Sequence, residues 1–143
     1  MKVLLAGNGP KEQELRTQIR ELGLDSIVRL LGYRTDLEQL VPAVNLVVSC
    51  SKREGLPLNI IEAMLCEKPI VGSCNRGHRE LVRNEANGYL TQPEDTKAIS
   101  EAIVFLCSDE MTSGKMGGNS LKIAKQYTMP FVKKELLTIL LQE

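Results

Sequence analysis

The chain has 143 residues, 43% of them hydrophobic and 25% charged, an ordinary balance for one globular domain or a piece of a larger protein. Eighteen basic and eighteen acidic side chains cancel, which argues against nucleic-acid or anionic-lipid binding through a general positive field and leaves only a local positive cluster at one site. No apolar run reaches the ~18 residues a membrane span needs, and the opening "MKVLLAG" reads as a strand rather than a signal peptide. "KVLLAG" is closed by Gly7-Asn8-Gly9-Pro10, and residues 11–23 form a predicted helix with Leu15, Ile19 and Leu22 on one face and Gly23 as its stop. A second strand covers 26–32, a short helix 35–41, and a third strand 44–50. Then come a loop and helix, "SKREGLPLNIIEAM", a fourth strand at 68–74, a short helix opening at "HRELV", and a brief fifth strand at 87–91. From Pro93 the chain turns helical over 94–108, 115–127 and 130–142, with Gly114, Gly117 and Gly118 predicting a loop or broken helix between the first two.

Strands that are nearly continuously apolar, alternating with amphipathic stretches, predict an α/β domain of the Rossmann-like, doubly wound parallel type, with extra C-terminal helices. In such sheets ligands sit beyond the carboxyl ends of the strands. The candidate loops are therefore "GNGP", "GYRTD", "SKREGLP" and "NRGHRE", all rich in glycine or charge. Cys50, Cys66, Cys74 and Cys107 show neither a C-x-x-C pair nor a histidine partner spacing, so zinc is not expected. Their apolar neighbours predict buried, reduced thiols.

In "REGLPLNIIEAM" (53–64), Pro57 suits a first helical position. The N–H groups of Leu58, Asn59 and Ile60 would then be open to a phosphate at the helix N-terminus. Gly55 would let a ligand approach the backbone closely. Glu54 precedes the helix, and Glu62 lies five residues past Pro57, roughly 7–8 Å along the axis. Sharing a face with Leu58 and Leu65, Glu62 is not expected on a solvent stripe, and a buried carboxylate needs partners. A ligand with hydroxyls on both sides of a diphosphate, such as a nucleotide-sugar, would supply them. The plain alternative is a helix-surface Glu62 and a solvated Glu54.

The blocks "LLAGNGP", "IVRLLGYRTDL", "NLVVSCSKREGLPLNIIEAMLCEKPIVGS", "GHRELV" and "NGYLTQPED" resemble, in order, the C-terminal domain of retaining family-four glycosyltransferases of the GT-B fold. The resemblance implies that Glu54 faces the donor hexose as the catalytic carboxylate and that Glu62 holds the ribose hydroxyls. The backbone at Leu58 and Asn59, beside Gly55, would grip the pyrophosphate. Tyr33 and Arg34 would stand where the family contacts the base, and Gly9 would border the donor. It further implies a nucleotide-diphosphate sugar donor, expected to be UDP-linked although these residues do not choose between UDP and GDP, and a lipid-linked or saccharide acceptor. No cofactor is expected and no metal, as there is no D-x-D cluster. "NRGHRELVRNEANGYL" looks most like bacterial enzymes of capsule or exopolysaccharide synthesis, which implies a cytoplasmic domain working at the inner membrane face. The family's N-terminal acceptor domain, and the Arg and Lys that neutralise the donor phosphates, are not in these residues. The expectation is therefore a single nucleotide-sugar-binding domain (1–143) that is a fragment, inactive alone. Lys52 and Arg53 could steer a diphosphate, while His78, Arg79 and Glu80 read as local structure before they read as chemistry. Two rival functions are a catalytically silent sugar-nucleotide-binding or assembly module, and a dinucleotide-binding oxidoreductase. The second is disfavoured because Glu12 replaces the third glycine of G-x-G-x-x-G.

Overall fold

A computed structural model of the chain describes residues 1–141. It falls into two units, Met1–Gln39 and Leu40 onward, with the boundary inside a short helix, α2 (Leu37–Leu40). In the first unit, β1 (Val3–Ala6) and β2 (Val28–Gly32) pair in parallel, Val3 opposite Val28, and α1 (Glu12–Glu21) connects them. Bonds from Gly23 N to Arg20 O and from Leu24 N to Ile19 O close the end of α1, satisfying carbonyls that the last turn leaves open. Every residue of this unit is at least partly exposed, as two strands and one helix are too few to enclose a core of their own.

The second unit is built on a three-stranded parallel sheet, β3 (Val47–Ser49), β4 (Ile70–Ser73) and β5 (Gly88–Thr91), with β4 in the middle. The remaining helices are α3 (Leu58–Leu65), α4 (Arg76–Leu81), α5 (Thr96–Ser108), α6 (Glu110–Ala124) and α7 (Met129–Leu140). Successive strand residues point to opposite faces, and β4 shows both faces covered. Ile70 packs with Ile60, Met64 and Leu81, whereas Val71 packs with Leu106 and Met116. That is the doubly wound arrangement the apolar strands predicted, and it explains why these strands do not alternate in polarity.

Three expectations need correction. The glycines at 114, 117 and 118 do not break the chain: α6 runs through all three without interruption, and Gly117 lets it pack against the Glu67 backbone. Pro57 is the N-cap, with φ −76° and ψ 100°, and the helix starts at Leu58. The cysteines are not core residues: Cys50 and Cys107 are exposed, and Cys66 and Cys74 are half-buried. Cys50 follows the end of β3 and Cys66 caps the end of α3, so each lies where its element leaves the core. The helix predicted over 130–142 is α7, and residue 142 lies outside the described residues.

Helix α6 begins with a carboxylate cap, the Thr112 N–H donating to Asp109 Oδ1 at 2.9 Å. That backbone bond holds the Asp109 carboxyl below its ordinary value of 3.8. The ionised form is thus favoured by folding. Its contribution is fully present above pH 3.8 and is lost as the pH falls through the lower, folded-state value. Asp109→Asn keeps an acceptor for the cap without the charge. Its melting temperature is expected to fall less steeply than the wild type's between about pH 4 and pH 2, the span over which a depressed carboxylate titrates. Parallel melting curves for the two proteins would contradict this.

Candidate functional site

The site in the second unit grows from the loop between β3 and α3. Beyond Ser49 the chain leaves the sheet, and its backbone is caught from behind by the loop after β4. Ser73 Oγ and Asn75 Nδ2 both donate to Ser51 O, at 2.5 and 2.8 Å. Two residues beyond Asn75, Gly77 N donates to Glu54 O at 3.2 Å. Lys52 is tied across the sheet end to Glu94 at 2.6 Å, and the bond raises the lysine pKa and lowers that of the carboxylate. Both groups are exposed, so the pair orders the rim rather than stabilising the fold.

Pro57 is buried and turns the chain into α3. Its carbonyl already accepts from Ile60 N and Ile61 N, at 3.1 and 3.3 Å. The helix end therefore leaves two open N–H groups, not three: those of Leu58 and Asn59 have no hydrogen-bond partner among the described residues. Glu54 is half-buried beside this end, and Glu62 lies one turn up the helix. Neither carboxylate has a hydrogen bond or ion pair among the described residues.

Glu62 is exposed, which corrects the expectation that it avoids solvent. Helix α3 is apolar on two faces. Ile60, Ile61, Ala63 and Met64 enter the core, while Leu58 and Leu65 flank Glu62 on the outside, Leu58 being 65% exposed. A carboxylate set among exposed leucines above open N–H groups suits a ligand that is part polar, part flat and apolar. A Cβ at Gly55 would meet nothing within 4 Å, so the fold itself leaves that space empty.

His78 is fully buried on the first turn of α4. Its Nδ1 lies 2.6 Å from Ser73 O and 3.0 Å from Asn75 Nδ2. Nε2 is buried and has no hydrogen-bond partner among the described residues. Asn75 caps the helix, its Oδ1 accepting from His78 N at 2.9 Å. The sequence pattern did not reveal this support. Its one available signal was Asn75, three residues before His78 in N-cap spacing.

The remaining predicted residues belong to the first unit. Gly9 lies on the Gly7–Pro10 loop, which borders a depression of about 290 Å³ reaching Leu15 and Leu30. Gly7 N donates to Gly32 O at 2.7 Å, joining that loop to the turn bearing Tyr33 and Arg34. Tyr33 is 74% exposed. The Arg34 guanidinium grips both oxygens of Asp36, the Nε bond measuring 2.8 Å, and it lowers the Asp36 pKa. Its side chain is thus committed to a neighbour, and what it offers beyond that is backbone. Among the described residues, no group of three or more His, Cys, Asp or Glu is arranged to hold a metal ion, and no helix is long and apolar enough to cross a membrane.

Comparison with known proteins bears on the fold and the family. The crystal structure of Anabaena Alr3699/HepE in complex with UDP superimposes with a TM-score of 0.90 at 31% identity, over 100% of this chain and 41% of that one. The same protein in complex with UDP-glucose gives a TM-score of 0.86, over 99% and 41%. EpsD of Bacillus subtilis (strain 168) is 30% identical over 97% of this chain and 36% of its own length. Poly(glycerol-phosphate) alpha-glucosyltransferase of the same organism is 29% identical over 90% of this chain and 19% of its own. The chain thus spans well under half the length of each of these relatives. The profile of the family "Glycosyl transferases group 1" matches residues 1–123. By that match, by its identity to EpsD and by its parallel α/β fold, this chain belongs to the glycosyl transferases group 1 family.

Proposed function

We propose that the loop before α3 and the start of that helix bind the donor of a retaining glycosyltransferase, which moves a hexosyl group from a UDP-sugar to a hydroxyl acceptor. One observation carries this reading: two carboxylates without partners among the described residues lie on either side of two open N–H groups at the N-terminus of an eight-residue helix. A helix end of this kind favours a diphosphate through its donors and its dipole. Glu62 then accepts from the ribose hydroxyls, and Glu54 from the hexose. As the bond to the diphosphate breaks, positive charge develops at the anomeric carbon, and the Glu54 carboxylate lies on the side that stabilises it. The helix end takes up the charge of the leaving group, so the proposal invokes no metal.

UDP is the favoured nucleotide because HepE, at 31% identity, is a protein solved with UDP and with UDP-glucose. A role in bacterial surface polysaccharide synthesis is supported by the poly(glycerol-phosphate) glucosyltransferase among the relatives. The setting proposed is the cytoplasm at the inner membrane face, with a lipid-linked or saccharide acceptor held by an N-terminal domain of the same enzyme.

Calorimetric titration of UDP, GDP, UDP-glucose and GDP-mannose into the chain tests the donor site. Binding of the uridine nucleotides over the guanosine ones is expected. Binding of neither class would overturn the reading. Binding of donor by a whole enzyme that never transfers sugar would favour a silent nucleotide-sugar-binding module instead.

A further inference from the structure

The Glu54 side chain has no hydrogen bond or ion pair among the described residues, so its place depends on the backbone that carries it. We propose that the first turn of α4, Asn75 to His78, is the positioning device for Glu54, pressing on that backbone from behind; the inference rests on the donor-site reading above. The contact is direct. Gly77 N donates to Glu54 O, and a Cβ on Gly77 would lie 2.5 Å from Gly55 O and 2.8 Å from Glu54 Cβ. Only a glycine lets the two backbones approach this closely.

The turn is itself rigid. Ser73, Asn75 and His78 are 2%, 7% and 0% exposed. Asn75 uses both ends of its amide, Oδ1 capping His78 N and Nδ2 reaching Ser51 O, three residues before Glu54. His78 Nδ1 locks the turn to Ser73 O, and Ser73 Oγ returns to Ser51 O. The loop is thus held at Ser51 and at Glu54, by buried groups on one short stretch that itself needs no contact with a ligand. A reacting constellation must be held to within about 0.5 Å by such supporting groups. The Leu58 and Asn59 N–H groups and Glu62 are placed instead by α3 and its core face. The α4 turn therefore sets the hexose contact separately from the nucleotide contacts.

The test is Gly77→Ala, titrated with UDP and with UDP-glucose, UDP-galactose and UDP-N-acetylglucosamine, the tightest UDP-sugar being carried forward. The added methyl pushes Glu54 outward. Affinity for the UDP-sugar is expected to fall about tenfold, the scale of one hydrogen bond to a charged group, with UDP changed less than about twofold. In a Glu54→Gln background, which itself should weaken the UDP-sugar, the same substitution is expected to cost less than about twofold more, because two changes acting through one group are not additive. Equal losses for UDP and UDP-sugar, equal losses in both backgrounds, or no loss would each overturn the positioning role. If Gly77→Ala fails to fold, Asn75→Asp replaces it. That variant keeps the cap acceptor and loses the donor to Ser51 O, and the same split between ligands is required of it. A wild-type chain that binds none of these compounds overturns the donor-site reading and this inference together. A wild-type chain that binds, with variants that do not discriminate, overturns only the inference.

Discussion

Glu62→Ala is expected to weaken UDP binding about a hundredfold while leaving the fold intact. The carboxylate can accept two hydrogen bonds from a ribose, each to a charged group and each contributing about 1.5–3 kcal/mol. After desolvation losses a net of about 3 kcal/mol, or a hundredfold, is reasonable. The folded state loses almost nothing, since Glu62 is exposed and has no hydrogen bond or ion pair among the described residues. Alanine is, if anything, the better helix former. Thermal melting and UDP calorimetry on the same preparation separate the two effects. Glu54→Gln should behave differently, retaining UDP and losing affinity for the sugar conjugate. A Glu62→Ala protein that binds UDP as well as the wild type would remove the ribose contact, and with it the main support for the donor site.

Gly117→Ala is expected to destabilise the protein by about 3 kcal/mol, although helix propensity alone predicts a gain of about 1 kcal/mol. The Cβ would lie 2.0 Å from Glu67 O and 2.9 Å from Glu67 C, both backbone atoms that cannot swing aside. Glu67 follows the end of α3 with φ 57°, so the two helices meet where the chain is already in a left-handed conformation. Gly114 and Gly118 lie in the same helix, and a methyl added at either would meet nothing within 4 Å. Alanine at either is expected to stabilise by up to about 1 kcal/mol. Urea denaturation of the three variants should therefore show opposite signs within one helix. Equal stabilisation by all three would mean that α6 does not approach α3 as described.

The α4 turn shows how far the sequence could be read. Asn75 and His78 have the spacing of a helix cap, and that much is local. What Asn75 does with its other amide group depends on β3 and β4 lying side by side, with Ser49 opposite Gly72. That register brings Ser51 within reach of Ser73 and Asn75, and nothing between residues 51 and 75 announces it.

By itself the sequence determined the order of strands and helices, the parallel α/β class and the Glu54–Glu62 spacing on the loop and helix after the third strand. These are carried by apolar periodicity, turn residues and a compact motif, all local in the chain. Only the tertiary structure decided which apolar face of α3 is buried. Ile60 and Met64 compete with Leu58 and Leu65 on equal terms until the sheet supplies a partner for one pair. It also decided that three glycines lie in an unbroken helix, because Gly117 closely approaches Glu67, a residue far away in the chain. Burial and backbone contact between distant segments are properties of the folded pairing, and a linear pattern holds no record of them.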